Sequence, residues 1–490
     1  MILILILASL LRFHGLSYQS LWDDELSSWS RSHYNNLSTV INKGVVGDMH
    51  PPGYHTTVYF VEKYIGESEF DLRLPSAISG ILSVLVIFLI GARLYSYKEG
   101  LISSVLMAVL WCPIYYSQEG RPYSMLLLST LLATYFWVRI LLNLNEEKKI
   151  SVLLGSGYVI SAALASYLHY YGLFLIILQG LWGGVFFVRK PKALLDLLVI
   201  YFFILLAYAP WLPFMAHHLR SDNVTDNIGW IAPPGNIIHC FINYLKFLFN
   251  NSLKTVILVL GMYAFLIFHT VKNYNRSNVQ KNAKSSFFPT EILLFSWLLV
   301  PFLISYLKSI VSYPVLVNKV LIISLPAAYL LFSRAITQLF VRPRYQIIIT
   351  VIILVYSIHW LISDKYYSTP TKEQWREAAY FIADNDKQYK NSLIIGYSWK
   401  LQYFDYYLER RGSDNRAKIM AGYDTDIPKI ADAINKENPE YVWYIYGQRK
   451  PDPGFIDFMK KRLLLIKEKK FIETGVYLFR NPGPVNKVLP

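Results

Sequence analysis

Residues 73–92 read RLPSAISGILSVLVIFLIGA, and the reading of this stretch decides the fold. After Arg73 no charged side chain appears before Arg93. A helix of about twenty residues rises about 30 Å, the thickness of a bilayer's hydrocarbon core. Runs of the same kind recur near 2–16, 100–117, 122–142, 151–168, 172–188, 193–212, 253–271, 289–308, 318–333 and 346–363, which makes about eleven spans. At 54% hydrophobic and 16% aromatic residues, the 490-residue chain is more apolar than a soluble protein of its size. Beyond Ser363 the character changes: the remaining quarter is charged and mixed, with no bilayer-length run. The expected architecture is a polytopic α-helical membrane domain over 1–363, with a large outer loop at 17–72. A soluble α/β domain follows over 364–490.

The N-terminal MILILILASLL has no basic leader and no small-residue cleavage site, so it reads as a retained first span. The formal net charge of +15 is explained by loop bias. With the N-terminus inside, the inner loops carry Arg93 and Lys98, then Lys148 and Lys149, then Arg189, Lys190 and Lys192. They continue with Lys272, Arg276, Lys281 and Lys284, and finally Arg334, Arg342 and Arg344. The short outer connections Ser117–Arg121 and His169–Gly172 are nearly free of lysine, which is the positive-inside pattern of a multi-pass cell-membrane protein. An odd number of spans then puts three segments outside: the loop 17–72, the loop His217–Asn251 and the C-terminal domain. No RNA-recognition or zinc-finger pattern accompanies the basic charge, so nucleic acid is excluded as a partner. The two cysteines, Cys112 and Cys240, are far apart and form no disulfide framework or metal motif.

Within the first outer loop, Tyr54–Tyr64 is helical in pattern and too short to span, which suits the interface. In the C-terminal domain, Lys372–Ala383 reads as a helix with Trp375, Ala378, Ala379 and Ile382 on one face. Ser392–Tyr397 and Tyr441–Tyr446 read as buried strands, and Ile427–Asn435 as a helix between them. This domain has no Gly-rich phosphate loop.

Five clusters could carry chemistry. Asp23-Asp24-Glu25 follows the first span. Adjacent carboxylates raise one another's proton affinity, and one could accept a hydroxyl proton; the plain alternative is an acidic helix cap. Asp48-Met49-His50, before Pro51-Pro52, could share a metal or a hydrogen bond, or merely start a helix. Glu119 and Arg121 stand at the outer end of the third span. There an arginine fork suits phosphate oxygens, and a Glu–Arg pair could equally snorkel to the interface. His169, before two tyrosines, could bind phosphate or metal, whereas the tyrosines suit an aromatic belt. Lys319 breaks the lysine-poor habit of the outer edge and could neutralise a lipid phosphate or snorkel. In the charge-derived topology all five face the same side.

The segments WDDELSSW, DMHPPGY, DLRLPSAISG, YYSQEGRPYS and LHYYGLF, in that order, resemble those of the GT-C membrane glycosyltransferases. The similarity is to the bacterial branch related to the protein O-mannosyltransferases and the lipid A aminoarabinose transferases. It covers most of the membrane domain and reaches weakly into the tail, at KEQWREAAYFI. The resemblance implies a sugar donor carried on polyprenyl phosphate, inversion at the anomeric carbon, and a lipid, glycan or protein acceptor. It makes Asp24, followed by Glu25, the catalytic acid pair. Asp48 and His50 become the second acidic loop, which in some relatives lies near a divalent metal. Glu119, Arg121, His169 and Lys319 become the donor-phosphate residues. At Lys319-Val320 relatives commonly show Arg-Tyr, so the charge is kept while the fork and the phenol are lost. Phosphate is already a good leaving group, so no cofactor is required, and a metal at Asp48 and His50 would only assist. The sugar stays open among mannose, another hexose, arabinose and aminoarabinose. The rival reading is a transporter or flippase of a charged glycolipid. It calls for inverted repeats and charges near the midplane, whereas these charges lie at the outer edge and no repeat is evident.

Overall fold

The computed structural model describes residues 1–220, 230–279 and 290–482. Lys281 and Lys284, residues 221–229 of the His217–Asn251 loop, and the last eight residues of the C-terminal domain lie outside the described residues, as does the side chain of Arg276. The chain forms two compact units. One comprises Met1–Leu16 and Tyr34–Ser368, the other Ser17–His33 and Thr369–Pro490. The first outer loop is thereby divided, because its acidic segment packs with the C-terminal domain.

In the helical unit, eight helices among the described residues are long and apolar enough to cross a membrane. The bent pair Tyr97–Val109 and Trp111–Ser117 makes a ninth if counted as one span. Every expected span is met by apolar helix, but two are short: Ile2–Phe13 with 12 residues and Val152–Leu168 with 17. The former rises only about 18 Å, well under the hydrocarbon thickness.

The bend is a departure from the single run expected over 100–117. The two pieces meet at 57°, with Leu110 extended between them. Pro113 sits in the first turn of the second piece, where a missing N–H is tolerated. Such a break orphans carbonyls, and in a bilayer each unsatisfied one costs several kcal/mol. Arg12, fully buried, supplies the donors. Its Nη2 donates to the Met107 carbonyl at 2.7 Å, its Nη1 to Ala108 at 3.1 Å, and its Nε to Ser117 Oγ at 3.2 Å. A Cβ on Gly80 would lie 2.8 Å from Arg12 Nε and overlap Ser117 Oγ, so only glycine admits the guanidinium. Gln118 ties the first helix's end to the same point. Its Nε2 donates to the His14 carbonyl at 2.7 Å, and its Oε1 accepts from the Tyr366 hydroxyl at 2.9 Å.

Within the bundle, several buried polar groups are paired. Tyr158 donates to Gln179 Oε1 at 2.9 Å and lies 2.7 Å from the Tyr201 hydroxyl, while Gln179 donates to Thr134 at 3.0 Å. At the end bearing the inner cations, Arg334 meets Glu99 at 3.0 Å and Glu291 at 3.4 Å, and Thr337 donates to Glu99 at 2.7 Å. Buried charges persist only when paired in this way.

The second unit is α/β. Its sheet has five strands: β1 (Ser392–Tyr397), β2 (Ala417–Met420), β3 (Tyr441–Gly447), β4 (Leu464–Phe471) and β5 (Thr474–Arg480). The order is β2-β1-β3-β5-β4, with β1 parallel to both neighbours and β5 antiparallel to β3 and β4. β1 and β3 are buried on both faces, as continuous apolar runs in parallel strands require. β4, at the edge, places Lys467, Glu468, Lys469 and Lys470 where a sheet needs protection from further pairing. The helix expected from Lys372 begins at Trp375, and Trp375, Ala378, Ala379 and Ile382 are its buried face.

Candidate active site

The candidate residues fall in two sets, one in each unit. In the helical unit, Pro51-Pro52 leads into the helix Gly53–Tyr64. A Cβ on Gly53 would lie 2.6 Å from the Tyr167 carbonyl oxygen, so this glycine lets the helix start abut the end of Val152–Leu168. That approach brings the second acidic loop to His169, which stands between two helices in extended conformation. His169 Nδ1 accepts the Tyr171 N–H at 3.1 Å, an N-cap for the helix Tyr170–Phe187. A ring that accepts at Nδ1 carries its neutral-state proton on Nε2, which is left as a donor.

Around this ring the other residues assemble. The His50 ring lies 5.4 Å from it, edge-on, and the Tyr123 ring 6.4 Å away. Lys319 Nζ sits 5.7 Å over Tyr123 and 5.2 Å over Trp230. Asp48 bridges two histidines, at 3.3 Å from His50 Nδ1 and 2.9 Å from His55 Nε2. Burial pushes the Asp48 carboxyl up, but His50 and His55 overcome this and hold it well below the usual carboxylate range. Burial, then electrostatic influence from His50 and the cations Arg121 and Lys319, holds the His169 imidazolium pKa well below its ordinary value. His169 is therefore a neutral donor beside two permanent cations. An arginine and a lysine beside a neutral N–H donor have the chemistry that suits phosphate oxygens. Glu119 is buried too, and its charge is felt at the Tyr366 hydroxyl, which burial first, then Tyr367 and Glu119, push well up.

Sequence reasoning missed His55, Tyr123 as a cation platform, Trp230 and His218. His218 is buried, with its Nδ1 2.8 Å from the Tyr170 hydroxyl and its Nε2 3.2 Å from the Val46 carbonyl, so it ties the acidic loop to the bundle. Of these, only His55 carried a usable signal, because it falls in the first turn after the Pro-Pro start.

In the other unit, the acidic triplet opens the helix Asp23–Ser32. Glu25 closes the capping box, its Oε2 accepting the Trp22 N–H at 3.3 Å, and pairs with Lys372 Nζ at 3.4 Å. The Asp23 N–H donates to Glu373 Oε2 at 2.8 Å, and Trp375 Nε1 donates to the same oxygen. The Leu21 N–H donates to the Tyr407 hydroxyl at 2.6 Å, and Lys400 Nζ to Ser30 Oγ at 2.8 Å. Burial, with Asp24 and Glu473 nearby, pushes the Glu373 carboxyl up against those two hydrogen bonds. Glu25 is thus engaged in holding its helix, while Asp24 is half-buried and keeps access to solvent.

A metal at Asp48 and His50 would need further donors. Among the described residues no group of three or more His, Cys, Asp and Glu side chains is disposed to hold one. The Asp48 carboxylate is shared between His50 and His55.

Residues 49–214 match the family model of the dolichyl-phosphate-mannose-protein mannosyltransferases. The chain superposes on crystal structures of ArnT from Cupriavidus metallidurans, one apo and one bound to undecaprenyl phosphate. Each has a TM-score of 0.62 at 12% identity and covers 97% of both chains. It also resembles the Archaeoglobus fulgidus oligosaccharyltransferase in complex with Zn and sulfate. That match has a TM-score of 0.53 at 13% identity, over 90% of this chain and 67% of the other. No curated protein matches it by sequence. The chain has the fold of these structures, GT-C, and its residues 49–214 match the mannosyltransferase family model.

Proposed function

We propose that the protein is an integral membrane glycosyltransferase. It takes a hexosyl or pentosyl residue from a polyprenyl-phosphate-linked sugar and transfers it, with inversion, to a hydroxyl of an envelope lipid, glycan or protein on the extracytoplasmic face. The observation that carries this reading is that Lys319 and the neutral His169 flank Tyr123 while Arg121 and Lys319 both act electrostatically on His169, a set suited to phosphate at the end of the bundle remote from the inner cations. The similarity to an ArnT captured with undecaprenyl phosphate supports a lipid phosphate as its ligand. The positive-inside pattern supports the extracytoplasmic assignment.

In the reaction, the acceptor oxygen attacks the anomeric carbon while the bond from that carbon to the phosphate oxygen breaks. The bonding pair leaves with polyprenyl phosphate, and the hydroxyl proton passes to a carboxylate. Arg121 and Lys319 stabilise the charge as it grows on the leaving phosphate, and His169 Nε2–H adds a fixed dipole. The sequence resemblance assigns the proton acceptor as Asp24. Its neighbour Glu25 supports the helix and takes no proton.

The test is mass spectrometry of envelope glycans and glycolipids from cells with and without the protein. One residue mass is lost in its absence, restored by the wild type and not by Asp24→Asn, which still folds and inserts. An unchanged envelope, or full restoration by Asp24→Asn, overturns the assignment.

A further inference from the structure

The topology of the α/β unit points to a second site. From β1 the chain passes through the helix Gln402–Arg410 to β2 on one side. It then returns through Ile427–Glu437 to β3 on the other side of β1. The order of strands therefore reverses between β1 and β3. In open α/β sheets ligands bind in the crevice outside the carboxyl ends of the strands at such a switch point.

The residues there are built for contact. The turn after β1 presents Trp399, 53% exposed, and the turn after β3 presents Arg449. The Arg449 guanidinium lies 3.4 Å from the Trp399 ring centroid, and its Nη1 donates to the Tyr423 hydroxyl at 3.3 Å. Tyr423, 45% exposed, stands edge-on to Tyr397 at 5.4 Å. Gly422 lets that pair form, since a Cβ on it would overlap the Tyr397 ring. Large aromatics left exposed beside an oriented arginine mark a binding surface, because burying them is favourable and the arginine's geometry is already fixed.

The acidic helix lies at the same edge of the sheet. Lys400, next to Trp399, donates to Ser30. Trp375, whose ring fills the space a Cβ on Gly447 would need at the end of β3, donates to the Glu373 oxygen that also accepts the Asp23 N–H. The switch point and the helix bearing Asp24 therefore belong to one compact unit.

We propose that this crevice is a glycan-binding subsite that holds the sugar portion of an acceptor. A pyranose ring offers a flat C–H face for the indole, and hydroxyls for the Arg449 fork and the Tyr423 oxygen. The turns offer aromatic and cationic side chains in place of the glycine amides that cradle phosphate. The proposal deepens the transfer reading, on which it rests for the role of Asp24.

The test uses the full chain in detergent. The probe is the oligosaccharide mixture released by mild acid from envelopes of cells lacking the protein, with binding read by saturation-transfer difference NMR. Wild type transfers saturation to sugar protons. Trp399→Ala lowers the signal about tenfold, the scale of a lost aromatic contact, while Trp399→Phe retains most of it. Asp24→Asn keeps the signal, so a failure of the transfer reading, seen as normal turnover by that variant, is separate from a failure of this one. No signal in wild type, an unchanged signal in correctly folded Trp399→Ala, or Trp399-dependent binding of envelope peptides in place of sugars overturns the glycan subsite.

Discussion

Lys372→Met removes one half of an ion pair that has almost no contact with water. The Lys372 and Glu25 side chains are 7% and 1% exposed, and the nitrogen and oxygen are 3.4 Å apart. The substitution keeps most of the side chain's volume and deletes the charge. Glu25 then stays buried, still accepting the Trp22 N–H at 3.3 Å. Breaking a buried pair from one side costs about 3–5 kcal/mol, because the remaining charge has lost its compensation. For a unit of this size each kcal/mol moves the midpoint by a few degrees, so the unfolding transition should fall on the order of 10 °C. The double variant Glu25→Gln with Lys372→Met buries no net charge and should recover much of that loss. The assay is tryptophan-detected thermal unfolding of the purified protein, since Trp22, Trp29 and Trp375 all lie in this unit. A single variant that melts within about 2 °C of wild type refutes the reasoning, as does a double variant less stable than the single one.

Lys319→Met should weaken binding of undecaprenyl phosphate about tenfold, the scale of one charged hydrogen bond, and Lys319→Arg should retain it; native mass spectrometry with the lipid phosphate reads both. Arg12→Met leaves the Met107 and Ala108 carbonyls without their guanidinium donors, and Gly80→Ala crowds the same guanidinium. Both should lower the yield of monodisperse protein in size-exclusion chromatography, Arg12→Met by the larger margin. His169 and His55 are held below their ordinary value of 6.5, so between that pH and their folded values the unfolded chain binds more protons. The stability they contribute is present above about pH 6.5 and is lost as pH falls through the folded values. Thermal midpoints measured from pH 7.5 to 5 should decline, and His169→Asn should flatten the slope.

The spans were legible because hydropathy needs no partner: twenty apolar residues announce themselves. What could not be read was where a span breaks. Trp111-Cys112-Pro113 carries a proline, but a proline alone does not distinguish a kink from a helix restart. The partner that makes the restart tolerable, Arg12, is nearly a hundred residues away. The α/β unit divides in the same manner. β1 and β3 are apolar runs, visible as such. β4, LLIKEKKF, reads as a charged loop until an edge position accounts for its lysines. In the site, Asp48, His50, Arg121, His169 and Lys319 could be singled out by residue type and position. That Asp48 and His50 meet His169 depends on Gly53 pressing against Tyr167, which no local pattern expresses.

The acidic triplet shows how two readings of one motif can both apply, to different residues. Helical geometry turns successive side chains by about 100°, so three adjacent acids cannot share one environment. Glu25, at the third helical position, reaches back to the Trp22 N–H, so the capping reading holds for it. Being turned inward for that task, it meets Lys372. Asp23 is turned inward as well and gives its backbone N–H to Glu373. Asp24 is half-buried, and its own charge helps to push the neighbouring Glu373 carboxyl up. A base must reach its proton, and a cap must be held still. Glu25 serves as the cap, and the proposed assignment of the base to Asp24 rests on the sequence resemblance together with its partial exposure.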